Sequence, residues 1–154
     1  MSRTESKSQA TLIVENRKAR FRYEVLETLE AGVALVGTEV KTLREGKAHL
    51  EESYARVDDG EMFLIGAHID EYSHGNRLNH KPTRKRKLLL RRSQIAKLKA
   101  KVEQKGLTLV PLKLYFNARG IAKLEVGVCR GKNTHDKREA GKQRDARKEI
   151  RDLR

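Results

Sequence analysis

A chain of 154 residues with 37% hydrophobic content has room for one compact domain of about 100–130 residues plus tails. Its net charge of +14 points to a polyanionic partner, and nucleic acid fits better than a membrane surface, since no apolar run reaches spanning length and no amphipathic stretch carries bulky aromatics. The single cysteine, Cys129, excludes an internal disulfide and a cysteine-based zinc cluster.

Residues 1–10 lack the apolar centre of a secretory signal and read as a polar lead into a cytoplasmic protein. Residues 11–14 (TLIV) suggest a strand, and the charged residues 15–20 interrupt it. From Phe21 the alternation of Phe21, Tyr23 and Val25 with Arg22 and Glu24 has strand period. Glu30-Ala31-Gly32 reads as a turn or bulge, with a further strand over 33–36. Residues 38–46 suggest a short helix capped by Thr38 and stopped by Gly46. Asp58-Asp59-Gly60 is a tight-turn sequence between two strands, and residues 70–82 form a polar loop.

From Lys81 to Lys101 there are ten Lys/Arg and no acidic residue. Inside that run Ile95, Leu98 and Val102 mark an amphipathic helix, with Ser93 as its cap and Gly106 as its end. The last hairpin is the clearest: Leu112, Leu114 and Phe116 alternate before Asn117-Ala118-Arg119-Gly120, and Ala122, Leu124, Val126 and Val128 after it. Pro111 has no donor and belongs at an edge or bulge. The expected fold is mainly β: a small antiparallel barrel of oligonucleotide-binding type with about three peripheral helices over residues 11–129. A split antiparallel α+β sandwich is the alternative.

Charge is unevenly spread. Residues 1–76 carry −4, residues 77–129 carry +13 and residues 130–154 carry +5. The last stretch has Ile150 and Leu153 as its only sizeable aliphatics, so it cannot offset its ordering entropy and is expected to be a flexible basic tail when alone. Asp145 and Lys148 are spaced for a helical pair, so it could fold on an RNA surface, although Gly141 opposes one unbroken helix.

Enzyme signatures are weak. There is no phosphate loop, GxSxG, HExxH or CxxC pattern, Asp58-Asp59 sits in a turn, and His135-Asp136 lies in the tail without further ligands. No catalytic residue, metal or cofactor is assigned. Cys129 reads as a small buried hydrophobe. Among the aromatics, Phe21, Phe63 and Phe116 are expected in the core, whereas Tyr23 and Tyr54 could be surface anchors. The cluster Arg84-Lys85-Arg86-Lys87, beside Leu88-Leu89-Leu90, suits phosphate contacts that position a protein on RNA. An integral ribosomal protein would share that charge pattern, and a nuclease is the less supported third reading.

Four segments carry a more specific signal: EAGVALVGTEVKTLREGKAHLEESYA, PTRKRKLLL, KVEQKGLTLVPLKLYF and GVCRGKNTHDKR. In order and spacing they resemble the SmpB family of tmRNA-binding proteins. Asn133, where a second Lys is common, and Cys129, where Ala is usual, are departures. The resemblance implies a non-catalytic adaptor of trans-translation that binds the tRNA-like domain of tmRNA and imitates the missing anticodon stem on stalled ribosomes. It implies tmRNA contacts by Asn16, Glu30 and Leu90, with Lys18, Arg20, Arg84, Lys85, Arg86 and Lys87 supplying phosphate contacts. It implies a second set, Gly131, Lys132, His135, Asp136, Lys137 and Arg138, at the decoding centre, where His135 would stack on a base and Gly131 would bend the chain out of the barrel. Residues 139–154 would become helical in the mRNA channel. Elongation factor Tu and alanyl-tRNA synthetase would be partners through tmRNA.

Overall fold

The computed structural model describes residues 10–75 and 79–132. In chain order its elements are β1 (Thr11–Glu15), α1 (Arg17–Arg22), β2 (Tyr23–Val33), α2 (Gly37–Arg44), β3 (Ala48–His49), β4 (Tyr54–Asp58), β5 (Glu61–Ile65), β6 (His68–Ile69), β7 (Arg86–Leu89), α3 (Arg92–Lys105), β8 (Thr108–Phe116) and β9 (Ala122–Gly131). The main sheet runs β1-β8-β4-β5-β7-β2-β9, all antiparallel, and β8 also pairs with β9. Six strands therefore close into a ring, with β1 laid along β8, while β3 and β6 form a separate ribbon. Closure leaves few unpaired edges. This is the oligonucleotide-binding-type barrel expected from the sequence, with six strands round the ring.

Alternation builds the interior. Met62, Leu64, Leu88, Leu109, Leu114, Leu124, Val126 and Val128 point inward and are almost wholly buried, and α3 closes one side with Ile95 and Leu98. The hairpin at 58–61 turns through Asp59 (φ 54°) and Gly60 (φ 78°), the two left-handed residues that a two-residue turn between twisted strands requires. A satellite core of Ala19, Val110, Leu112 and Cys129 seats α1 on β8 and β9. Burial pushes the Cys129 thiol up to about 11, so it behaves as the expected small hydrophobe. Pro111 sits beside a register shift between Pro111 and Lys113, the irregularity its missing donor favours.

Several local expectations are corrected. Residues 17–22 are a helix, not the start of a strand, and Phe21 on it is 72% exposed, so it is not a core residue. Strand β2 continues through Glu30-Ala31-Gly32, and its bulge lies between Val25 and Glu27. Helix α2 is capped at Val36, whose N–H donates to Glu39 Oε1 at 3.0 Å. Thr38 is instead hydrogen-bonded to His80 Nδ1 at 2.9 Å. His80 Nε2 donates to the Ile69 carbonyl at 2.9 Å, since a carbonyl can only accept. Helix α3 is capped at Arg91 rather than Ser93, and it ends at Gly106 (φ 65°) as expected.

Candidate RNA interface

The basic segment 84–87 enters strand β7, and a strand sends successive side chains to opposite faces. Arg86 points inward and is fully buried. Its guanidinium donates to Glu39 Oε2 (2.8 Å), the Ala67 carbonyl (3.1 Å) and the Pro82 carbonyl (3.0 Å). Arg84 donates to both oxygens of the same carboxylate, at 2.7 and 3.1 Å, and to the Ala34 carbonyl at 3.3 Å. Glu39, on α2, has no exposed side-chain surface. Burial alone would raise its pKa, but hydrogen bonds from Arg84, the Val36 N–H and Arg86 outweigh that and hold it below the ordinary carboxylate value. Two arginines and one glutamate thus lock α2 to β7.

Arg86 is therefore corrected as a phosphate contact: its donors are spent inside the protein. Arg84 keeps about a third of its side chain exposed, yet its fork is committed to Glu39. Lys85 and Lys87 are the outward pair. Lys85 lies 4.2 Å from the centre of the Phe63 ring, a cation–π contact, and Lys87 meets Glu61 at 2.9 Å with 48% of its side chain exposed.

Asn16 is also corrected. Only 4% exposed, it caps α1 by accepting from the Ala19 N–H (3.2 Å) and donates to the Pro111 (2.9 Å) and Leu50 (3.3 Å) carbonyls. Its side-chain amide is thus committed to the protein's own backbone. The cations of α1 diverge: Lys18 approaches Glu51 (3.8 Å), whereas Arg20 approaches Glu125 on β9 (3.9 Å).

Glu30 and Leu90 do come together, in a shallow depression between β2, β9 and the start of α3 that also includes Gly32, Leu89, Arg91, Gln94 and Lys123. Leu90 is half-buried and packs on the core, and Leu89 beside it is exposed. Glu30 is exposed and accepts from the Tyr115 hydroxyl. Gly131 remains in β9, paired with Tyr23, so the chain does not bend there. Lys132 continues the contact by donating its N–H to the Arg22 carbonyl at 2.9 Å. His135, Asp136, Lys137 and Arg138, with the rest of the tail, lie outside the described residues.

Sequence reasoning missed Glu39 and Glu125. Glu39 meets its partners 45 and 47 residues away, so no local pattern marks it. Glu125 could have been found by pairing the strands, which sets it opposite Glu30.

A closed six-stranded barrel that displays cations beside a half-buried leucine platform belongs to the class of RNA-binding barrels. The family model described as "SmpB protein" matches residues 13–154, and the chain belongs to the SmpB family. An SsrA-binding protein of Chelativorans sp. (strain BNC1) is 62% identical over 135 residues, covering 88% of this chain and 87% of that one. The SsrA-binding protein of Brucella canis (strain ATCC 23365 / NCTC 10854 / RM-666) is 54% identical over 149 residues, covering 97% and 94%. A solved chain described by "tmRNA-SmpB: a journey to the center of the bacterial ribosome" is 52% identical, with a TM-score of 0.68, and the match covers 89% of this chain and 92% of that one.

Proposed function

We propose that the chain is a non-catalytic adaptor of trans-translation. It binds the tRNA-like domain of tmRNA, stands in for the missing anticodon stem and carries the RNA to stalled ribosomes, where tagging and rescue follow. The observation that carries this reading is the extent of the match, since the family model matches residues 13–154 and the solved chain covers 89% of this one.

The described geometry supports a revised tmRNA face. Glu30 and Leu90 form its centre, with Arg20 nearby and Lys85 and Lys87 as outward cations. Asn16, Arg84 and Arg86 act from beneath by holding elements in place. Gly131, Lys132, His135, Asp136, Lys137 and Arg138 form the ribosomal set, with residues 139–154 lying in the mRNA channel. Elongation factor Tu and alanyl-tRNA synthetase are engaged through tmRNA, and the protein acts in the cytoplasm.

Because β9 runs to Gly131, truncation after Lys132 leaves the barrel's strands whole. That truncation, or His135→Ala, should leave tmRNA binding nearly unchanged and abolish tagging on stalled ribosomes in a reconstituted translation assay. Tagging at full rate by the truncated protein would sink the division of labour.

A further inference from the structure

We infer that Tyr115 is a positioning residue for RNA recognition, its hydroxyl holding the Glu30 carboxylate so that Glu30 can accept a hydrogen bond from a donor on the RNA. The inference deepens the adaptor reading and rests on it.

The register of the barrel sets up the arrangement. Glu30 on β2 lies directly opposite Glu125 on β9, and Glu125 lies opposite Lys113 on β8. Carboxylates placed opposite one another across a sheet repel. Compensation at Glu125 is loose: its Oε1 has no hydrogen-bond partner and stands 3.9 Å from Arg20. Tyr115, two residues beyond Lys113 on β8, reaches across β9 and donates to Glu30 Oε2. Among the described residues this is the hydrogen bond that orients the Glu30 side chain. Burial first, and then the bond to Glu30, raise the Tyr115 pKa, so the phenol keeps its proton and remains a donor.

An exposed, fixed carboxylate on a polyanion-binding surface repels phosphate and offers only acceptor oxygens. It therefore meets a donor: an amino or imino group on a base edge, or a 2′-hydroxyl. The neighbouring depression is lined by apolar Leu89 and Leu90 together with Arg91 and Lys123. Fixing the carboxylate beforehand removes an ordering cost that would otherwise be met on binding.

The test is a double-mutant cycle read as affinity for the isolated tRNA-like domain of tmRNA, with an unrelated tRNA as competitor. Tyr115→Phe keeps the ring, so any base stacking survives and only the hydroxyl is lost. It should weaken binding roughly 5–10-fold, the size of one ordinary hydrogen bond, because only the positioning of Glu30 is lost. In a Glu30→Ala background the same change should cost less than about 2-fold, because nothing remains to be positioned. Melting curves of all four proteins accompany the cycle. Equal losses in both backgrounds, or no loss from Tyr115→Phe alone, would overturn the inference while leaving the adaptor reading intact. Failure of the wild-type protein to prefer the tRNA-like domain would overturn the adaptor reading, and the inference with it.

Discussion

Arg84 and Arg86 stand in sequence between and beside Lys85 and Lys87, yet the two pairs do opposite work. The arginines turn toward a buried glutamate and hold α2 to the barrel, while the lysines turn to solvent. A fully buried guanidinium with its donors on Glu39, Ala67 and Pro82 is part of the interior. One residue further on, Lys87 holds its ammonium near Glu61 with about half its side chain in water. A run of four cations is therefore two structural groups and two candidate RNA groups. The lesson is that charge density along a chain overstates the charge offered to a partner, because strand alternation takes half of it inside.

The comparison can be broken most forcefully at Glu39. Glu39→Ala leaves Arg86 as an unpaired buried cation, and should cost about 3–5 kcal/mol in urea unfolding. The sign with pH follows from the same residue. Its native pKa lies below the ordinary value, so its stabilisation is complete above the ordinary carboxylate range and is lost as pH falls through the depressed native value. Acid unfolding of Arg84→Ala should begin at higher pH than that of the wild type. An unchanged acid midpoint would show that Arg84 adds nothing to the lock.

Asn16→Ala comes next in size. It removes a helix cap and the amide donor to the Pro111 carbonyl, while the Leu50 carbonyl keeps its bonds from Ser53, for a loss of about 1–2 kcal/mol measured by thermal or denaturant unfolding. Any fall in RNA affinity should track this destabilisation. A large affinity loss with an unchanged melting temperature would return Asn16 to direct RNA contact.

Lys85→Ala and Lys87→Ala should have the smallest effect on folding, each within about 1 kcal/mol, because exposed ion pairs and cation–π contacts contribute little. Their signature should lie in RNA binding. Each should make the dependence of log affinity on log salt shallower by about 0.7–0.9, one phosphate contact apiece. An equal change from an arginine variant that stays folded would erase the inner and outer distinction.

Much of the barrel was legible because its determinants are local. Alternation through Leu112, Leu114, Ala122, Leu124, Val126 and Val128, the Asp59-Gly60 turn and the stripe of Ile95, Leu98 and Val102 each declare an element within a few residues. Phe63, expected in the core, is corrected: β5 turns Met62 and Leu64 inward and sets Phe63 on the opposite face. Helix α1 was not legible, since RKARFR has no apolar stripe, buries only Ala19 and depends on a cap whose other bonds reach Leu50 and Pro111. Strand β7 was hidden in the basic run because one of its inward positions is an arginine, neutralised by a residue on another element. For the candidate site, Glu30 and Leu90 were named from the resemblance, and the fold places them around one depression. No local pattern marks Tyr115. Its bond to Glu30 spans 85 residues of chain.

By itself the sequence determined the class of fold, the polyanionic preference and the hairpins and long helix, because alternation, turn residues and net charge act over short range or by simple sum. Only the tertiary structure decided which cations face solvent and which carboxylate holds the interior together. The physical reason is that burial and pairing depend on strand register and barrel closure, which bring Glu39 to Arg86 and Tyr115 to Glu30 across distances in sequence that no local pattern encodes.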